Sequence, residues 1–200
     1  MNDKLINKTS LKLIENITLL QNLSTKNNII KIAKLINSYI KSKNKILICG
    51  NGGSASQASH FSTELIVRFK KEYEREAHNS ISLASDMSLL TAIGNDYGFN
   101  KIFSRQIEGI AKKEDILILL STSGNSKNLI EAVKASKKIG LKTISFTGND
   151  GGNLKKMTNY NININSNDTA RIQECHLYII HLIIELIENR NNKKISKNKS

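Results

Sequence analysis

Two short loops of small and hydroxylated residues offer the first chemistry in the sequence. Gly50-Asn51-Gly52-Gly53-Ser54 and Ser121-Thr122-Ser123-Gly124-Asn125-Ser126 each follow an apolar run and precede a helical stretch. Glycine lets backbone approach a ligand closely, free amides at a helix start favour an anion, and clustered hydroxyls donate to phosphate oxygens. The pattern predicts a phosphate cradle, with a turn that merely caps the next helix as the competing reading. Through Ala55 the first loop also satisfies the G-x-G-x-x-G/A dinucleotide fingerprint. The acidic residue that should then hold a ribose would be Asp86, roughly thirty positions on instead of roughly twenty, so no nucleotide cofactor is expected.

Side chains able to move protons lie beyond the first loop and near the end of the chain. His60 and Glu64 are four residues apart in Ser59-His60-Phe61-Ser62-Thr63-Glu64-Leu65, on one face of a helix. Such a pair binds metal or relays protons, or is a casual surface contact. The last helix supplies Gln173, His176 and His181, and His181 stands among Ile179, Ile180, Leu182 and Ile183, where a core histidine with one satisfied hydrogen bond is the plain alternative. Spacing by itself leaves these alternatives open.

The elements that must position these residues follow from hydrophobic periodicity. Leu11, Leu13, Ile14, Ile17 and Leu20, then Ile29, Ile30, Ile32, Ala33 and Ile36, recur at helical spacing and predict two amphipathic helices broken near Ser24 to Asn27. From Lys45 the pattern changes to short apolar runs at 46–49, 81–83, 116–120 and 143–146, which suit strands covered on both faces. Helical stretches lie between them, around Ser54 to Phe69, Asp86 to Ala111 and Ser126 to Lys138, with a last long helix from about Ala170 to Asn189. Alternating strand and helix predicts an α/β fold, a three-layer αβα sandwich on a central parallel sheet with right-handed crossovers. The two N-terminal helices are suitable material for oligomer packing.

Composition bounds the remaining classes. A chain of 200 residues with 39% hydrophobic content fits one domain, expected over 1–190, followed by a basic, disordered tail over 191–200. Thirty Lys+Arg against seventeen Asp+Glu give a net charge of +13. That charge is spread along the chain without a basic stripe or interleaved aromatics, so no specific nucleic-acid partner is expected. Only Cys49 and Cys175 are present, without CxxC spacing, and no segment approaches a membrane span. A cytoplasmic protein without a membrane partner is the expectation.

As a set, several segments resemble the sugar isomerase (SIS) domain family and, within it, the phosphoheptose isomerases. They are Cys49 to Ser54, His60-Phe61 with Glu64-Leu65, Gly94-Asn95-Asp96-Tyr97-Gly98-Phe99-Asn100, Ile102-Phe103-Ser104-Arg105, the serine loop, Thr147-Gly148 with Asp150-Gly151-Gly152, and Arg171-Ile172-Gln173-Glu174 with His181. The resemblance implies an aldose–ketose isomerase that converts D-sedoheptulose 7-phosphate to D-glycero-D-manno-heptose 7-phosphate for surface glycans. It implies Glu64 as base and His181 as acid. Asn51, Gly52, Gly53, Ser54, Glu64, Asn95, Asp96, Ser121, Thr122, Ser123, Ser126 and Gln173 would bind the sugar phosphate. Zinc at His60, Glu64, Gln173 and His181 is implied for some members, as is a homotetramer with shared active sites. Non-catalytic relatives that bind sugar phosphates or associate with a replication initiator are the alternative, and they lack the acid and base. Gln57, where members often carry Asp, and the charged, proline-free Arg68 to Asn79 loop depart from the pattern.

Overall fold

The computed structural model describes residues 2–72 and 74–197, with side chains described through residue 189. Five strands, β1 (Ile46–Gly50), β2 (Ser80–Ser82), β3 (Ile116–Ser121), β4 (Lys142–Gly148) and β5 (Tyr160–Ile164), form one parallel sheet in the order β2-β1-β3-β4-β5. The helices are α1 (Asn2–Leu19), α2 (Leu23–Lys41), α3 (Gly53–Ile66), α4 (Met87–Tyr97), α5 (Ser104–Ile110), α6 (Lys127–Ile139), α7 (Gly152–Met157) and α8 (Thr169–Lys197).

Alternation along the strands divides the core into the expected layers. Ile46, Ile48, Ile116, Ile118, Leu120, Ile144 and Phe146 point to one face, where Ile32, Ile36, Phe61, Leu65 and the apolar side of α8 cover them. Leu47, Cys49, Leu117 and Leu119 point to the other, against Ile93, Phe103, Ile107, Leu129 and Val133. Covered on both faces, the central strands need no polar side, which is why they read as uninterrupted apolar runs.

The differences from expectation lie at edges and ends. Strand β5 reads Tyr-Asn-Ile-Asn-Ile, with Ile162 and Ile164 buried and Asn161 and Asn163, which alternate with them, bonded to β4. There the Asn161 amide donates to the Ser145 and Thr147 hydroxyls, and Thr147 donates to Asn163. A search for continuous apolar runs passes over such a strand. The stretch expected as one helix over 86–111 is broken at Gly98 (φ 83°), followed by a short 3-10 turn before α5. The break between α1 and α2 falls at residues 20–22, where Asn22 caps α2 by accepting from the Thr25 amide at 2.8 Å. Helix α8 runs to Lys197 instead of ending near Asn189, because no glycine or proline interrupts it. The expected tail therefore overlaps this helical backbone at 191–197, and its last residues, 198–200, lie outside the described part.

One buried and one half-buried histidine tie this fold to pH. His176 is fully buried against Phe146, its Nε2 on the Thr147 carbonyl at 3.2 Å, while its Nδ1 has no partner. Burial lowers its pKa to about 4, partly opposed by that hydrogen bond. His78 is lowered to about 4 as well, first by burial and then by the Arg75 charge. Because both folded values lie below the ordinary 6.5, the unfolded chain protonates first as pH falls. Stability is therefore full above about pH 6.5 and declines towards about pH 4. Urea unfolding between pH 7 and 4.5 should show this decline, and His176→Gln, which keeps a donor for Thr147 but does not titrate, should make it shallower.

Candidate active site

The order β2-β1-β3 places the topological switch between β1 and β3, where chain crossovers leave the sheet in opposite directions. Residues 51–53 leave the end of β1 and residues 122–126 the end of β3, so both loops meet at that crevice. A cavity of about 180 Å³ there is lined by Asn51, Ser54, Leu120, Ser121, Thr122, Ser123, Ser126, Thr169 and Gln173.

The serine loop is wired so that its hydroxyl protons remain free. Ser121 Oγ accepts the Gly124 amide at 3.0 Å and Ser123 Oγ accepts the Asn125 amide at 3.2 Å. Each oxygen thus spends acceptor capacity inside the loop, leaving its O–H as a donor. Ser126 caps α6 without a side-chain bond to that helix, so its hydroxyl is also uncommitted at a helix start. A second loop buttresses the first: Asn125 Oδ1 accepts the Asn153 amide at 3.0 Å, and the Leu154 amide donates to the Gly124 carbonyl at 3.0 Å. Gly124 has φ 66°, and a Cβ there would strike the Gly151 carbonyl.

Helix α3 carries Gly53, Gln57, His60 and Glu64 along one face, and α8 presents Gln173 and His181 to it. The helices meet closely at Gly53, where a Cβ would lie 2.6 Å from Gln173 Nε2. Gln57 Nε2 donates to the Gln173 carbonyl at 2.6 Å, while its buried Oε1 is without a partner. On the opposite side of α3, hydroxyl pairs Ser59–Ser82 and Ser62–Ser80, both at 3.1 Å, hold the helix to edge strand β2. Further along the seam, His60 Nε2 lies 2.9 Å from His181 Nε2 and 3.7 Å from Glu64 Oε1. The Phe69 ring covers His181 with centroids 5.3 Å apart. Burial lowers the His181 pKa, His60 lowers it further, and Glu64 opposes both.

These contacts join Glu64, His60 and His181 into a chain with His60 in the middle. The donor types suit zinc. Among the described residues no three His, Cys, Asp or Glu side chains gather closely enough to hold an ion. The fourth expected ligand, Gln173, is folded over Gly53 at the serine cavity, two turns of α8 away.

Of the other expected ligand contacts, Asn51 lines the cavity but exchanges two hydrogen bonds with Asn128, at 3.0 and 2.8 Å, which pins the glycine loop to α6. Gly52 (φ 55°) and Gly53 shape that loop. Asn95 and Asp96 are exposed on α4, bonded to each other at 2.8 Å, and are not among the residues lining the cavity. Sequence reasoning passed over Asn128 and Thr169. The Asn51–Asn128 pair spans a separation that no local pattern reveals. Thr169 opens α8 directly after Asp168, whose side chain accepts from the Ala170 amide, so a capping signal was available.

Comparison with known proteins agrees with this geometry. A family model described as the SIS domain matches residues 14–148. Phosphoheptose isomerase of Aliarcobacter butzleri is 49% identical over 159 residues, covering 80% of this chain and 83% of that protein. The chain belongs to the phosphoheptose isomerase family of SIS domain proteins. Within that family, the structure of a phosphoheptose isomerase from Francisella tularensis superposes with a TM-score of 0.89 at 33% identity, covering 94% of this chain and 99% of that one. The enzyme from Neisseria gonorrhoeae gives 0.87 at 35% identity, covering 94% and 100%.

The buttressed loop predicts the effect of Gly124→Ala. Backbone must move to admit the new Cβ, so the variant should lose about 1–3 kcal/mol of stability and bind inorganic phosphate more weakly. Thermal unfolding and calorimetric titration would read the two effects, and a variant with unchanged phosphate affinity would remove the cradle from this loop.

Proposed function

We propose that the protein is a phosphoheptose isomerase that interconverts D-sedoheptulose 7-phosphate and D-glycero-D-manno-heptose 7-phosphate. Its product would supply heptose for lipopolysaccharide or capsule. The observation that carries the reading is the separation of two kinds of chemistry along one seam. The serine cavity receives the phosphate, and the chain of Glu64, His60 and His181 stands about 12 Å further along α8, counted from Gln173 to His181. That is the scale of an open-chain seven-carbon sugar phosphorylated at its far end. A protein that only held sugar phosphates would need the cavity alone.

In this reading Glu64 takes the proton from C1 of the ketose, and the electron pair left behind forms the C1–C2 double bond of an enediol. Return of the proton to C2 gives the aldose. Between these steps a proton must move from one oxygen to the other. His181, held towards its neutral form, can donate at one nitrogen and accept at the other. Ser54, Ser121, Ser123 and Ser126 hold the phosphate, and Gln173 and the free N–H of Asn51 meet sugar hydroxyls. No step is routed through a metal: zinc would compete for the nitrogen and oxygen atoms that move protons here.

Asn95 and Asp96, exposed and away from their own cavity, fit a site completed by a neighbouring subunit. Helix α1 buries none of its residues and exposes Leu5, Ile6, Leu11, Ile14 and Leu19. A groove of about 220 Å³ lined by Leu20, Ile29, Ile30, Leu182 and Leu186 continues that apolar face but holds no acid–base pair. We assign this face to a homotetramer with shared active sites, acting in the cytoplasm, where the free thiols Cys49 and Cys175 stay reduced. Light scattering should give four times the chain mass, and a monomer with full activity would refute shared sites.

Isomerisation of D-sedoheptulose 7-phosphate, followed by product analysis and by solvent-proton exchange at C1, tests the reaction. Glu64→Gln and His181→Gln should each lower turnover by at least about 100-fold, the usual worth of a general acid or base. Turnover should survive chelation. Loss on chelation that zinc alone restores would reassign His60, Glu64 and His181 to a metal, and near-normal turnover in both variants would overturn their roles altogether.

A further inference from the structure

We infer that the buried ion pair between Arg75 and Glu188 positions both reacting side chains, Glu64 on α3 and His181 on α8. This rests on the acid–base roles proposed above. Glu188 is 1% exposed and Arg75 11%. Glu188 Oε1 accepts the Phe69 amide at 2.9 Å and Arg75 Nε at 3.0 Å, and Oε2 accepts the Lys70 amide at 3.2 Å. Arg75 then turns the rest of its guanidinium on α3. Nη2 donates to the carbonyl of Glu64 itself at 2.6 Å, and Nη1 to the carbonyls of Leu65 at 2.9 Å and Glu76 at 3.1 Å.

The consequence is a double hold. The last carbonyls of a helix have no partner within it and carry its negative end, so a cation there fixes the final turn, the turn that bears Glu64. On the other side, Glu188 fixes the backbone of Phe69, whose ring covers His181. His181 and Glu188 lie seven residues apart, two turns along one face of α8, so one rigid helix carries both the acid and the anchor of its cover. A buried ion pair is a weak source of stability compared with apolar packing of the same volume. What this pair supplies that packing cannot is a set of directed donors on Glu64 and an acceptor for Phe69. Lysine at position 75 could keep the charge but not the fork.

The test separates positioning from structure by a split between kcat and KM. In Arg75→Lys, and in the double variant Arg75→Met with Glu188→Met, which removes both charges together, kcat on D-sedoheptulose 7-phosphate should fall at least about tenfold, since displacement by an ångström costs up to about 100-fold. KM should stay within about threefold, because the serine cavity lies at the other end of the seam, and the thermal midpoint of Arg75→Lys should stay near that of the wild type. A folded double variant with wild-type kcat overturns the proposal, as does a loss confined to KM. If single-charge variants such as Glu188→Gln fail to fold, the double variant and Arg75→Lys still decide. Normal turnover by Glu64→Gln would instead overturn the acid–base assignment beneath the proposal, a failure distinct from its own.

Discussion

The site depends on how closely α3 can lie against α8. Gly53 admits the Gln173 side chain where any Cβ would collide with it, and Gln57 ties the helices together one turn later. Because α3 starts at the serine cavity and carries His60 and Glu64 further on, the close approach at Gly53 continues as a contact at His60 and His181. Hydroxyl pairs to β2 hold the other side of α3, so the helix cannot roll away from that contact without breaking hydrogen bonds. His60, Glu64 and His181 are aligned by a seam between rigid helices, which keeps positions better than a loop does.

The sheet fixes where that seam begins. Parallel pairing of β1 with β3 puts both loops at one edge, and the opposite directions of the crossovers leave the crevice between them open. Inside the serine loop Ser121 and Ser123 accept the amides of Gly124 and Asn125 and so cap the turn. Capping within the loop uses the serine oxygens as acceptors and leaves their protons available, so the capped turn and the proposed phosphate cradle are compatible in one loop.

Much of this was legible from residue types. The central strands, the helices between them and the two loops follow from runs and periodicity, because the elements buried on both faces carry a strong apolar signal. Strand β5 did not, since its buried isoleucines alternate with asparagines that bond to β4. Among the histidines, local surroundings misled. His181, set among isoleucines, looked like a core residue, yet His176 is the one fully enclosed and His181 faces His60 across the seam. A neighbouring isoleucine in sequence points elsewhere on the helix, so only the three- and four-residue offsets report what a side chain meets. Asn128, Arg75 and Glu188 act through partners more than sixty residues away or through backbone atoms, and neither leaves a pattern in sequence.

The histidine pair also explains why burial here serves chemistry. Two imidazoles 2.9 Å apart share one proton between their facing nitrogens, and a second positive charge would be repelled. Burial pushes His181 in the same direction as His60 does, while Glu64 pulls against both. A histidine held towards its neutral form can donate at one nitrogen and accept at the other, which is what the proposed transfer between two sugar oxygens requires. His176 has the same chemistry and stronger burial, but its Nε2 is committed to Thr147 and its Nδ1 faces no partner, so it only makes the core sensitive to acid. What separates the two is access: one imidazole faces His60 on the seam between α3 and α8, and the other is enclosed in the core.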